Sequence, residues 1–152
     1  MPAEIPTGTA GSDRRRLVVV VEDHADSREM YVQYLEVSGF RTAAAEEGQQ
    51  ALRLAAELRP DLIVTDLSLP GLDGCDLIGR LRADMATRNI PIIALTASAD
   101  LASAARAREA GCNAFLTKPC LPDALVAEIE HVLSLGGPAR PSPPGTVPGK
   151  TD

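Results

Sequence analysis

Four aliphatic runs in this chain each end on residues able to do chemistry. Glu22 and Asp23 follow LVVVV, Asp66 follows LIVT, Thr96 follows IIAL, and Lys118 follows AFLT. Carboxylates brought together from two runs repel each other unless a cation lies between them. Hard oxygen ligands without His or Cys point to Mg²⁺, which takes a few carboxylates and keeps water and phosphate as its other ligands; Mn²⁺ is the alternative ion. A hydroxyl (Thr96) and an ammonium (Lys118) on the opposite side suit phosphate oxygens. The central carboxylate, Asp66, can then attack phosphorus to form an acyl phosphate. Such a reaction needs positioning and neutralised phosphoryl charge, with no general base.

These residues meet only if the ends of the runs meet. The strand candidates are Leu17–Val21, Phe40–Ala44, Leu62–Thr65, Ile92–Leu95 and Ala114–Thr117, each short and bounded by polar or turn residues. LVVVV has no polar alternation, as expected of a strand covered on both faces. Helical spacing falls between the strands: Tyr31, Tyr34 and Leu35; Leu52, Ala55 and Ala56; Leu77, Ile78 and Leu81; Leu125, Ile129, Val132 and Leu133. Asp26 to Glu29 reads as a capping box opening the first helix, and Gly39 and Gly111 are placed to end helices. The Ala-rich stretch Leu101 to Glu109 has a weak apolar stripe, so its helix is expected to be the least firmly packed. Five strand–helix units in series predict an α/β fold, a doubly wound five-stranded parallel sheet with helices on both faces. Ligands of such sheets bind beyond the carboxyl ends of the strands, where strand order reverses. All of the reactive residues named above lie at those ends.

Composition excludes several other classes. A formal net charge of −6 argues against a nucleic-acid footprint, and Arg14, Arg15 and Arg16 read as a solvated flank. Cys75, Cys112 and Cys120 show no paired spacing and His24 and His131 lie in different segments, so no zinc site is expected. The cysteines read as buried fillers in a reducing cytosol, and His24 as a loop residue. The leader lacks the apolar stretch of a secretory signal, and five aliphatic residues cannot span a bilayer, so a cytoplasmic protein with no membrane contact is expected. Residues 1–14 and the Pro/Gly-rich 136–152 read as disordered tails around one domain at 15–135.

The chain resembles the receiver domain of two-component response regulators. The resemblance rests on Val20-Val-Glu-Asp23, on Pro60-Asp-Leu-Ile-Val-Thr-Asp66 continuing to Gly74, on Ile92-Ile-Ala-Leu-Thr96-Ala, and on Phe115-Leu-Thr-Lys118-Pro119. Each stretch alone is weak, but four in order across the whole domain are highly specific. The resemblance implies a flavodoxin-like (βα)5 fold with strand order 2-1-3-4-5. It implies Asp66 as phosphoacceptor, Asp23 as direct Mg²⁺ ligand, Glu22 acting through metal-bound water, and the Ser68 carbonyl as a further ligand. Thr96 and Phe115 would be the switch pair, Lys118 the phosphate-binding lysine, and the Lys118–Pro119 bond cis. Phe115 also suits plain core packing, and Ser68 and Ser98, which flank the path of attacking water in the family, are expected to face solvent.

Two departures stand out. Glu22 takes a place where the family often has Asp, and Leu121 one where a polar cap is usual, partly offset by Pro122. The implied function is phosphorelay signalling rather than enzymatic turnover of a substrate. A histidine kinase or histidine phosphotransfer protein would be the donor, and output would pass to a protein partner without direct DNA binding. The domain would be a monomer or a weak dimer through the face of the fourth helix, fifth strand and fifth helix. A haloacid-dehalogenase-like aspartyl phosphohydrolase would carry Asp-x-Asp after the first strand, where this chain has Glu22-Asp23-His24. A pseudo-receiver that binds partners without phosphorylation would have lost one of the acids, the acceptor or the lysine.

Overall fold

Aliphatic β-branched runs make the interior strands, and the helices that cover them follow in strict alternation. A computed structural model describes residues 15–97 and 100–135; the expected tails at 1–14 and 136–152, Arg14 among them, and Ser98 lie outside the described residues. The elements are β1 (Leu17–Val21), α1 (Ala25–Val37), β2 (Arg41–Ala45), α2 (Gly48–Leu58), β3 (Leu62–Asp66), α3 (Gly74–Ala83), β4 (Ile92–Thr96), α4 (Leu101–Ala110), β5 (Ala114–Thr117) and α5 (Pro122–Ser134). They form one parallel sheet ordered β2-β1-β3-β4-β5. β1, β3 and β4 are buried at every position, as two-sided coverage of a parallel sheet requires.

Side-chain alternation divides the core in two. Val19, Val21, Ile63, Ile92 and Ala94 pack with Ala51 and Ala55 of α2, Leu77, Ile78 and Leu81 of α3, and Ala107 of α4. Val18, Val20, Leu62, Val64, Ile93 and Leu95 pack with Tyr31 and Leu35 of α1 and Leu125, Ile129 and Val132 of α5. The chain leaves β1 for β2 on one side and returns across β1 to β3 on the other. The switch point therefore lies at the carboxyl ends of β1 and β3, beside Glu22, Asp23 and Asp66. Among the described residues no helix is long and apolar enough to cross a membrane.

Several local expectations shift. β2 begins at Arg41, because Phe40 closes the preceding turn by donating its N–H to the Leu35 carbonyl and packs into the α1/α5 core. Asp66 and Thr96 are the last residues of β3 and β4. No capping box opens α1: its N-cap is His24, without a side-chain bond, and Asp26 sits inside the first turn. Tyr34 is 39% exposed while Tyr31 and Leu35, one helical repeat apart, are buried. On α2 Gly48, Ala51 and Ala55 are buried, with Ala56 exposed. Gly111 does end α4, in the left-handed conformation, and Gly39 adopts positive φ just past α1. α4 buries only Ala107, against four residues of α3, in keeping with its weak stripe.

Arg82, on the last turn of α3, was not singled out by any motif. Its guanidinium donates to the carbonyls of Gly111 (2.9 Å), Arg88 (2.8 Å) and Ile90 (2.7 Å) and to the Asn113 amide oxygen (2.8 Å). Burial pushes it down to about 10, still charged at neutral pH. The side chain ties the end of α4 and the approaches to β4 and β5 to α3. Arg82→Ala is expected to destabilise the domain by about 2 kcal/mol, since it strips partners from several carbonyls at once. Lys is expected to recover little, lacking the planar fork. Urea melts of the two variants check both expectations.

Candidate functional site

Parallel register sets the ends of β1, β3 and β4 side by side, with Val21 opposite Thr65 and Asp66 opposite Leu95. Glu22 continues β1 by donating its N–H to the Ala45 carbonyl, and its side chain is wholly buried. From β5, Lys118 reaches back across this junction. Its Nζ donates to Glu22 Oε1 at 2.9 Å and to Asp66 Oδ2 at 3.1 Å, so one ammonium holds two buried carboxylates. The Lys118 N–H also donates to the Thr96 carbonyl at 2.7 Å, fixing the β5 end against β4. The Lys118–Pro119 peptide bond is cis.

The two adjacent acids are not equivalent. Glu22 is fully engaged inside, whereas the Asp23 side chain is 32% exposed and lines an open cavity of about 730 Å³. Ser68, Thr96, Cys75 and Arg106 line the same cavity. Ser68 is exposed and its N–H donates to Asp66 Oδ1 at 3.0 Å, which orients the Asp66 carboxylate. Thr96 is buried at the cavity wall, and Phe115 is partly buried against the core beneath α2, α3 and α4. Cys75 is thus only half-buried and borders the site, while Cys112 and Cys120 are buried as expected. Burial raises all three thiols, Cys112 to about 11, so none supplies a thiolate at neutral pH.

Two contributors escaped the sequence motifs. Arg28, one turn into α1, donates to the Glu22 carbonyl at 2.9 Å and clamps the acid-bearing loop. His24 turns its ring onto the acids, so Glu22, Asp23 and His24 form one group whose ligand atoms lie within 4.8 Å of one another. The donor set is therefore not purely oxygen. A buried acid, an exposed acid beside it and Asp66 across the lysine are residues that fit a divalent cation next to a phosphate site.

Burial alone would push the Lys118 ammonium down, but its hydrogen bonds to Glu22 and Asp66 and their charges outweigh this and hold it above its ordinary 10.5. A raised folded-state value contributes stability that is full below the unfolded value and lost as pH rises through the folded one. Stability is therefore expected to fall on going above about pH 10.5. Tyr31, whose phenol burial likewise raises, adds an alkaline loss of the same sign. Comparing wild type with Lys118→Met in denaturant melts at neutral and strongly alkaline pH isolates the lysine: the variant should show the shallower loss.

Acids, a hydroxyl and a lysine thus converge on the switch point of a doubly wound α/β sheet. Residues 18–130 match the family described as Response regulator receiver domain. The chain is 38% identical over 134 residues to the phosphate regulon transcriptional regulatory protein PhoB of Pseudomonas aeruginosa, covering 88% of this chain and 58% of that protein. It is 41% identical over 115 residues to the DNA-binding response regulator MtrA of Mycobacterium tuberculosis, covering 76% and 49%. A crystal structure of the receiver domain of a sensor histidine kinase from Pseudomonas aeruginosa superposes with a TM-score of 0.72 at 32% identity, covering 77% of this chain and 96% of that one. That neighbour holds a magnesium ion coordinated in its active-site cleft. The chain belongs to the response regulator receiver family, a signalling module of two-component systems. It spans about half the length of the curated relatives it matches.

Proposed function

We propose that this domain is a phosphorylation switch in which Asp66 accepts a phosphoryl group from a histidine kinase or histidine phosphotransfer protein. The observation that carries this reading is Lys118 Nζ bridging Glu22 and Asp66, while the adjoining Asp23, Leu67, Ser68 and Thr96 line an open cavity. An Asp66 oxygen attacks phosphorus, the bond from phosphorus to the donor nitrogen breaks, and the donor imidazole leaves. Lys118 then exchanges its Asp66 contact for a phosphoryl oxygen, and the Thr96 hydroxyl donates to another. Asp23, Asp66 and the Ser68 carbonyl, with Glu22 behind them, would hold Mg²⁺, which would supply neutralisation of phosphoryl charge. The domain promotes only its own phosphorylation and dephosphorylation, in the cytoplasm.

Output would run through Thr96 and Phe115 to α4, β5 and α5. The thin burial of α4 supports a movable element there. Hydrogen exchange in α4 is expected to change on phosphorylation; an unchanged profile would sink this part of the reading. A protein partner is the proposed recipient. The names of PhoB and MtrA point to transcriptional output in longer relatives, whereas the acidic charge of this chain argues against DNA contact by the domain itself.

The test is intact mass after incubation with acetyl phosphate, with and without Mg²⁺, followed by borohydride reduction to mark the modified carboxylate. One phosphoryl group at Asp66 that requires Mg²⁺ is expected. A folded protein without an adduct would favour a phosphorylation-independent binding module.

A further inference from the structure

We infer that His24 supplies a nitrogen ligand to the cation site, which makes it select borderline transition ions such as Ni²⁺ or Zn²⁺ over Mg²⁺ more strongly than carboxylates alone would. The inference deepens, and rests on, the reading of Glu22 and Asp23 as a metal site. It starts from where the ring goes. His24 is the N-cap residue of α1, yet its side chain makes no capping bond. Its Nδ1 instead hydrogen-bonds Glu22 Oε2 at 3.3 Å, which turns the ring toward Asp23 Oδ1 at 3.6 Å.

Those separations are informative. Ligands bound at about 2.1 Å lie roughly 3.0–3.4 Å apart, depending on whether the ion is octahedral or tetrahedral. The edge from Nδ1 to Asp23 needs a shift of only a few tenths of an ångström to match. Of the two acids, Asp23 offers the accessible oxygens. Glu22 is engaged instead in holding the ring in place: Lys118 occupies its Oε1, and its Oε2 accepts the His24 N–H at 3.1 Å and faces Nδ1. Asp23 is partly exposed and the imidazole is 76% exposed, so a hydrated ion can reach both.

Chemistry then decides the ion. Mg²⁺ gains little from imidazole, which suits Ni, Zn and Cu, and affinity among transition ions rises toward the end of the series. A domain carrying this histidine would bind a trace transition ion where its signalling chemistry uses Mg²⁺, and the two would compete at Asp23.

The experiment is calorimetric titration of the full chain with Ni²⁺ and separately with Mg²⁺, on wild type, His24→Ala and His131→Gln. His131 is the other imidazole, on the exposed face of α5, and controls for nitrogen binding elsewhere. His24→Ala is expected to weaken Ni²⁺ by about tenfold or more and to shift Mg²⁺ by less than about threefold. Co²⁺ added to wild type is expected to shift the His24 ring protons in NMR. Equal weakening of both ions, no weakening, or an effect carried by His131 would overturn the inference while leaving the Mg²⁺ site intact. Absence of binding by either ion to wild type would overturn the metal-site reading itself. Neither readout depends on phosphoryl transfer.

Discussion

Asp66→Asn is expected to abolish phosphoryl uptake completely while leaving the domain about as stable as wild type. The amide has no anionic oxygen to attack phosphorus, and no other described carboxylate shares the position of Asp66 at the end of β3, against Lys118. The geometry around it survives the change. Asn presents an oxygen where Oδ1 accepts the Ser68 N–H, and Lys118 keeps Glu22. What is lost is one ion-pair contact, and what is relieved is repulsion among Glu22, Asp23 and Asp66 around a single ammonium. These oppose each other, so the net change in stability is expected to stay within about 1 kcal/mol. Intact mass with acetyl phosphate and a thermal melt on the same sample check both halves. Uptake equal to wild type would place the acceptor elsewhere, and a collapsed melt would make loss of uptake uninformative.

The site was legible in the sequence because its members sit at the ends of strands that are themselves unambiguous. LVVVV, LIVT and IIAL are buried on both faces, so their runs are continuous and their ends abrupt. Asp66 and Thr96 fell one residue inside those ends, which changes neither their neighbours nor the way they face. The edge strand β2 was displaced by one residue because RTAAA carries little hydrophobic signal and Phe40 mimics a strand start. The failures share a cause. Arg28 on the Glu22 carbonyl, Arg82 on four acceptors and the His24 ring on the acids are contacts made by polar side chains whose spacing obeys no period. The capping box at Asp26 failed for a related reason: Glu22 Oε2 accepts the His24 N–H and draws the chain into α1 earlier than the local pattern implies. Hydrophobic periodicity locates elements, but it is silent about which polar group closes a loop.

Gly74→Ala is expected to damage fold and site together. Gly74 opens α3, and its N–H donates to the Leu67 carbonyl at 3.0 Å. A Cβ there would strike the Asp66 carbonyl oxygen and come within 2.5 Å of the Leu67 Cα, both backbone atoms at the end of β3. Neither can rotate away, so either α3 lifts from the sheet or the Asp66–Leu67 peptide moves. The expected loss is about 3 kcal/mol, at the upper end for overpacking because backbone must yield. The displaced peptide also carries the acceptor. Misplacing a reacting group by about 1 Å can lower a rate a hundredfold, so phosphorylation of the folded fraction should slow by at least tenfold. Gly79→Ala in the same helix separates this from any general effect of alanine. Nothing lies within 4 Å of its Cβ position, and it is exposed. Alanine there should stabilise α3 by about 0.5–1 kcal/mol and leave the rate unchanged. Urea melts and acetyl phosphate time courses on the two variants give the comparison. If both substitutions behave alike, contact between α3 and the Asp66 backbone does not set the position of the acceptor.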